Sequence, residues 1–443
     1  VGKSVAAAFR SQSAQLAIVL LFALLIRLGA YAFFPGLLHP DEVFQYSEQA
    51  HRLVFGQGIV PWEYRAGIRS WLFPGVLAGV MEVARLIGDG PVVQNAAIAV
   101  FVSLLSLPSV ACCFFWGCRA QGVAGGLAAG VLAACWPDTV LISVHPLLDG
   151  IGADCLVPGV FLLERAAWRD AGKQMFGAGL LLGLTLAFRL QLAPAVAWAV
   201  LRLCGARPWS RGVPACTGVC LPLLFSGVLD WVTLGSPFQS ELRYISLNTH
   251  GAADFFGTAP WYTYLVLLIR SAGWLTPLLA ACVFAGIVRL RLVAEIAFVI
   301  LVSFSLVHHK ELRFVFPMLP FLLTLAGAGS ARLAEMAYKR ARLQRLVWPA
   351  PALAGAWVLL CGVDASFAEN AGQWMRGFGM VMEMEAVSAD PHACALAIAP
   401  PQFWYLSGGF THLRRGIALL GLEVPANPGV LSGFDYAIAF DTL

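Results

Sequence analysis

The chain has 443 residues, of which 59% are hydrophobic and only 12% charged, with a formal net charge of +4 and a mean hydropathy of +0.76. A soluble globular domain carries about twice that charge, so a water-soluble enzyme is excluded and an all-α polytopic membrane protein is expected. The 29 basic and 25 acidic side chains leave no surplus that would mark a nucleic-acid partner; membrane lipids are the expected surroundings.

The first apolar run, 14–34, is too long for a signal-peptide core and lacks a small-residue cleavage site after it, so it is expected to stay as a span. Lys3 and Arg10 precede it and put its start on the cytoplasmic side. Residues 36–88 then form a first extracytoplasmic loop. Within it, Pro40-Asp41 is suited to open an amphipathic helix over Val43–Leu53. The run 71–87 is broken by Glu82 and Arg85. Read as a span, it would invert every later basic loop. Read as an interfacial helix, it leaves Arg119, the 165–173 and 202–211 groups, Arg289, Arg291 and the 332–345 group inside, so it is taken as interfacial. Further apolar runs lie at 92–116, 121–136, 150–164, 174–188, 190–204, 213–232, 261–288, 292–307, 314–330 and 347–363, giving about eleven spans with the first. Several fall short of the ~17 residues of a perpendicular span, so 121–164 and 174–204 are expected as hairpins of short or broken helices. Residues 1–363 read as the membrane domain. Residues 364–443 are more polar, with strand-like runs at 394–398 and 436–440, and read as a small extracytoplasmic cap. The 11 cysteines are scattered through apolar runs with no Cys-x-x-Cys, and read as small core side chains.

Polar residues gather on the outer side of this topology. The first loop holds His39, Asp41, Glu42, Gln45, Trp62, Glu63, Tyr64 and Arg69; the 137–154 tip holds Asp138, His145, Asp149 and Asp154. Asp230 ends a span, Tyr244 and Asn248 follow it, and His308-His309-Lys310-Glu311-Leu312-Arg313 lies between two spans. Arg189 is the most informative charge, because a guanidinium at membrane depth costs at least ~2.5 kcal/mol. It either pairs with a buried acid or clamps an anionic lipid head. Lys310 and Arg313 either meet phosphate or anchor at the headgroups. Adjacent histidines point in different directions, so no metal is expected at His308-His309. Trp62, Trp231 and Trp261 suit the aromatic belt, or a sugar face.

His39-Pro40-Asp41-Glu42-x-Phe44-Gln45, followed by Phe55-Gly56-x-Gly58, Trp62-Glu63-Tyr64 and Ile68-Arg69-Ser70-Trp71-Leu72-Phe73-Pro74, resembles the first luminal loop of glycosyltransferase family 22, the Alg9-like and GPI-anchor mannosyltransferases. Asp230-Trp231-x3-Gly235-Ser236-Pro237, Gly257-x2-Pro260-Trp261-Tyr262-x-Tyr264 and His309-Lys310-Glu311-x-Arg313-Phe314-x-Phe316-Pro317 agree in order and spacing, so the resemblance covers roughly 15–330. Where that family often has Arg-Thr-x-Ser-Asn, this chain has His145-Pro146-Leu147-Leu148-Asp149-Gly150, a departure that bears on the acceptor.

The resemblance implies a GT-C fold and an inverting transfer of mannose from a polyprenyl- or dolichyl-phosphate mannose to a glycan or glycolipid acceptor, on the non-cytoplasmic face. It implies Asp41 as catalytic base with Glu42 supporting it or orienting the acceptor. Arg189, Lys310 and Arg313 become candidates for the donor phosphate. His39, Gln45, Trp62, Glu63, Arg69, Asp230, Tyr244, His309 and Glu311 are expected along the substrate cavity. A phosphate leaving group carries charge well, so no metal or other cofactor is expected. The Ala/Leu/Gly/Arg-rich, Lys-poor usage suits a GC-rich bacterial genome; the compartment would then be the plasma membrane facing the periplasm, and in a eukaryote the endoplasmic reticulum. Two other readings stay open: a GT-C transferase for another polyprenyl-phosphate sugar, and a lipid-linked sugar flippase or transporter, which would place its charges along a path through the midplane.

Overall fold

The computed structural model describes residues 2–169, 171–249, 251, 257–340, 350–399, 401–422 and 434–439. It is a helical bundle that carries a small parallel sheet at one end. In chain order the main helices are α1 (Gly2–Phe33), α2 (Glu48–Phe55), α3 (Leu72–Ala84), α4 (Pro91–Cys135), α5 (Leu148–Arg169), α6 (Gly172–Phe188), α7 (Ala193–Cys204), α8 (Val213–Leu234), α9 (Gln239–Thr249), α10 (Thr263–Ala272), α11 (Thr276–Ile287), α12 (Arg291–Ser305), α13 (Leu319–Arg340), α14 (Ala350–Ser366) and α15 (Phe378–Ala389).

Among the described residues, five helices are long and apolar enough to cross a membrane, six if the bent pair beginning at Ala350 counts as one span. The eleven expected from hydropathy are therefore not matched. The cause is length: α6, α7 and α12 have 17, 12 and 15 residues, whereas a helix rises only about 1.5 Å per residue across a ~30 Å core. Within α4 the backbone breaks at Gln121 and Gly122, with Gly122 at φ +60°. Across that break the two arms lie against each other: a Cβ on Gly117 would meet the Gly125 carbonyl oxygen at 2.2 Å. The 92–116 and 121–136 runs are thus the arms of one glycine-turned hairpin, and small residues let them approach closely. The start of the expected span 347–363, and Arg342 and Arg345 of the expected basic loop, lie outside the described residues.

The bundle has two apolar centres. One joins α1, α3 and α4 with α14 around Phe73, Leu77, Met81, Phe114 and Trp357. The other joins α5, α6, α7, α12 and α13 around Trp116, Leu156, Leu182, Ile296 and Phe321. Outward faces stay apolar too, as on α8, where Leu221, Leu224, Phe225 and Val228 are exposed; an apolar exterior on a span is what a lipid solvent selects.

After α15 the chain forms β1 (Ala395–Ala399), β2 (Ala418–Gly421) and β3 (Tyr436–Ala439), a parallel sheet of order β2-β1-β3. Met380, Met384 and Val387 of α15 pack on Leu396, Ile398 and Ile438 of the sheet. The loop between β1 and β2 descends onto the first polar loop. Glu48, with no exposed surface, accepts backbone N–H groups from Phe410 at 3.1 Å, Thr411 at 3.2 Å and Ile59 at 2.9 Å. Gly409 (φ +60°) makes the approach possible, since a Cβ there would lie 2.7 Å from the Glu48 carboxylate. Phe44 packs edge-on to Trp404 beside this latch.

Burial pushes the Glu48 carboxyl up to about 7, against the three N–H donors and Arg52. A raised folded pKa means that the folded state holds the proton more tightly than the unfolded state. Its stabilising contribution is therefore full below the unfolded value and is lost as pH rises through the folded one. The difference in thermal stability between the unmodified protein and Glu48→Gln should accordingly shrink as pH rises from about 5 to 8, by on the order of 3 kcal/mol. Parallel melting curves at several pH values read this directly, and curves with a constant offset would contradict it.

Candidate active site

The first loop leaves α1 at Phe33 and turns into a wide-wound helical segment, Glu42–Ser47, that continues as α2. Such π-type turns cost hydrogen-bond geometry and concentrate at functional sites. Here the turn sends neighbouring side chains apart: Asp41 faces a cavity at the cap-bearing end of the bundle, while Glu42 faces away. The cavity measures about 240 Å³. Its walls come from the first loop, from Arg189 and Gln191 in the break after α6, from Tyr244, Leu247 and Asn248 of α9, and from the segment between α12 and α13.

Asp41 Oδ2 lies 2.8 Å from Arg313 Nη2, and Asp41 Oδ1 lies 3.4 Å from the Nδ1 of His39. Arg313 also meets Glu311 at 2.6 Å and Asp149 at 3.7 Å. Asp149 in turn holds Arg189 at 2.5 Å. His39 Nε2 approaches Glu311 at 3.5 Å, and His309 Nε2 is 2.9 Å from the other Glu311 oxygen. Burial alone would raise Asp41, but the His39 contact and the charges of Arg313, His39 and Arg69 outweigh it and hold Asp41 well below the usual carboxylate range. Glu311 is lowered likewise: burial opposes the shift, and Arg313 and His309 overcome it. Glu63, buried with Gln45 donating to it at 2.9 Å, is pushed up by desolvation.

Two guanidinium groups are not fully used. The Nε atoms of Arg69 and Arg189 are buried without a hydrogen-bond partner. A buried charged donor left unpaired is costly, and such a site is built for an acceptor. Arg69 lies 5.7 Å from the centre of the Tyr244 ring and Arg189 lies 5.0 Å from that of Phe314, so each packs against an aromatic face. Beside them runs a narrower crevice of about 70 Å³, shared with the cavity through Arg69, Arg189, Gln191 and Tyr244 and continuing between Leu72, Phe73, Leu186 and Phe188.

Of the site residues expected from sequence, His39, Asp41, Gln45, Trp62, Glu63, Arg69, Arg189, Tyr244, His309, Glu311 and Arg313 all line the cavity. Glu42, Lys310 and Asp230 do not. Glu42 is turned behind the loop. Lys310 donates to the backbone carbonyls of Ser305, at 3.0 Å, and Val307, and lies 5.4 Å from the centre of the Tyr264 ring. Asp230 accepts the Ser240 N–H at 2.7 Å and its hydroxyl at 2.6 Å, and so fastens the start of α9 to the end of α8. Of the sequence readings of Arg189, pairing with a buried acid is what the geometry shows, with Asp149 as the acid, and the residue also lines the cavity. Asp149 received no role from sequence; only its place on the 137–154 tip signalled it. Asp138 and Asp154 of that tip stay outside the cavity, accepting from Trp136 and Ser271 and from Ser109.

The family model described as the Alg9-like mannosyltransferase family matches residues 18–368. The GPI mannosyltransferase 3 of Yarrowia lipolytica is 27% identical over 85% of this chain and 71% of its own length. The mannosyltransferase APTG1 of Arabidopsis thaliana is 26% identical over 71% of this chain and 59% of its own, so this chain spans about three fifths of that relative. ArnT from Cupriavidus metallidurans, solved with undecaprenyl phosphate bound, superposes with a TM-score of 0.58 at 14% identity, over 91% of this chain and 85% of that one. The oligosaccharyltransferase of Archaeoglobus fulgidus gives 0.55 at 13%, over 93% and 62%. These superpositions show the fold, which is GT-C.

Asp149 is 1% exposed and holds two arginines. Asp149→Ala should destabilise the protein by about 3–5 kcal/mol, the cost of breaking a buried pair from one side, read as a lower denaturation midpoint in detergent. An unchanged midpoint would show that Arg189 is solvated without it.

Proposed function

The chain belongs to the Alg9-like mannosyltransferase family, and we propose that it moves mannose from a polyprenyl- or dolichyl-phosphate mannose to a lipid-linked or other glycan acceptor, by inverting transfer on the non-cytoplasmic face of the membrane. One observation carries this reading: a single cavity holds an ionised carboxylate, Asp41, together with Arg69 and Arg189, whose Nε atoms have no hydrogen-bond partner, at the mouth of an apolar crevice. A lipid phosphate needs an apolar groove for its chain and planar donors for its head. The face is inferred from the loop charges, which put the first loop opposite the basic side.

The chemistry follows from these parts. The acceptor hydroxyl attacks C1 of mannose from the side opposite the phosphate. As the new C–O bond forms, the hydroxyl proton passes to Asp41. The C1–O bond to phosphate breaks and its electron pair stays on the phosphate oxygen, where Arg69 and Arg189 meet the charge. Arg313 links the two halves. At rest it holds Asp41 low and makes it a weak base. A donor phosphate competes for Arg313, and as that guanidinium turns to it, Asp41 becomes more basic when an acceptor proton has to be taken. Glu311 and His309 keep Arg313 and His39 in register, and Trp62, Gln45, Glu63 and Tyr244 border the space for the sugars. The transporter reading lacks this support, since the residues lining the cavity gather in the first loop, in the break after α6, on the short α9 and around the connection between α12 and α13.

Transfer of labelled mannose from polyprenyl-phosphate mannose into host membrane lipids tests the proposal. Asp41→Asn should lower the rate by about 10²–10⁴-fold, the usual worth of a general base. Arg69→Gln should weaken donor use, chiefly as a higher donor KM. Undiminished transfer by Asp41→Asn would move the base to another acid, and transfer only from a different polyprenyl-phosphate sugar would replace mannose.

A further inference from the structure

The carboxylate next to the proposed base points the other way. Glu42 is 2% exposed. Its Oε1 accepts the His39 backbone N–H at 3.1 Å, and its Oε2 lies 2.5 Å from Nδ1 of His145, which is 8% exposed. Facing a carboxylate, Nδ1 is the protonated ring nitrogen and donates. The Asp41 backbone nitrogen lies 3.1 Å from His39 Nδ1. The segment from His39 to Glu42 is thus closed on itself by the His39–Glu42 hydrogen bond and fastened to a second loop by the contact with His145.

That second loop leads directly to the arginines. Four residues after His145, Asp149 opens α5 and holds Arg189 and Arg313. The loop is stiffened locally: Leu147 N–H donates to the His145 carbonyl at 2.8 Å, and Gly150 N–H to that of Leu147 at 3.0 Å. A closed circuit results, running from Asp41 through Glu42, His145 and Asp149 to Arg313 and back to Asp41. Every link is a backbone step or a charged contact, so the distance between the carboxylate and the arginines is set from both sides. Neither Glu42 nor His145 lines the substrate cavity; both face a separate cavity of about 50 Å³ behind the loop, together with Tyr31, Asn95, Glu385 and His412.

We infer that His145 is a positioning residue for the transfer reaction: through Glu42 it fixes Asp41 at its working distance from Arg189 and Arg313. The inference rests on the reading of Asp41 as the base. Without His145, Glu42 is a buried carboxylate with one oxygen unpaired, and the His39–Glu42 segment loses its tie to the Asp149 loop. The Asp149 loop keeps its own backbone hydrogen bonds without the His145 ring, so Arg189 stays in place, and the loss falls on turnover and spares donor affinity.

The test uses the full chain in lipid nanodiscs, with labelled polyprenyl-phosphate mannose as donor and host lipid extract as acceptor source. His145→Leu should lower apparent kcat by about 10- to 100-fold, as a misplaced reacting group does, with donor KM within about twofold. His145→Asn, whose side-chain amide can donate near the Nδ1 position, should recover most of that loss. Glu42→Gln combined with His145→Leu should be little worse than either alone, because both cut one tie. Undiminished kcat in His145→Leu, beside an inactive Asp41→Asn, overturns the inference and leaves Asp41 as the base. A loss that tracks lowered thermal stability and is not recovered by His145→Asn also overturns it. Full transfer by Asp41→Asn overturns the base assignment and this inference with it.

Discussion

Two guanidinium groups and three carboxylates lock together at the end of the bundle, and the site depends on that balance. Arg189 and Arg313 sit in surroundings where an unpaired charge is costly, and Asp41, Asp149 and Glu311 offset them over distances between 2.5 and 3.7 Å. The five groups come from four separate parts of the chain: the first loop, the start of α5, the break after α6, and the connection before α13, which carries both Glu311 and Arg313. The helices are therefore held in register at this end by charge, while small residues and apolar packing hold them elsewhere. Such a cluster is also preorganised for an anion. Its donors are already fixed, and the Nε atoms of Arg189 and of the neighbouring Arg69 have no hydrogen-bond partner.

The cap adds a second layer of constraint. Glu48 receives N–H groups from the 410–411 loop only six residues after Glu42 receives that of His39. The helical turn between them carries Phe44 against Trp404 and Gln45 against Glu63. The segment bearing Asp41 is thus pinned by the cap on one side and by the loop before α5 on the other. A base whose basicity is set by neighbouring charges needs that rigidity, because small displacements change both its geometry and its pKa.

Much of this was legible in the sequence, for identifiable reasons. Apolar runs and loop charges marked a bundle with its polar motifs at one end, and the motif residues of the first loop and of 309–313 converge on one cavity as expected. What was hidden depends on local winding or on long-range contact. Adjacent side chains diverge, but nothing in Asp41-Glu42 says which carboxylate faces the cavity and which turns behind the loop. Lys310 and Arg313 look equivalent in the sequence, yet the extended backbone at Glu311 and the tight turn after it direct one to backbone carbonyls and the other to Asp41. The span count is not matched because hydropathy registers apolar runs and takes no account of helices too short to cross. The Glu48 latch joins residues more than 360 positions apart and leaves no local signature.

The most direct measurement is a structure of the full chain with a non-transferable polyprenyl-phosphate mannose analogue in lipid nanodiscs. The phosphate is predicted to lie within hydrogen-bond reach of Arg69 Nε and Arg189 Nε, with the isoprenoid chain leaving past Phe73 and Phe188 and C1 of the sugar turned toward Asp41. A phosphate bound at the opposite end of the bundle, or against Lys310 with the two arginines unengaged, would contradict the account.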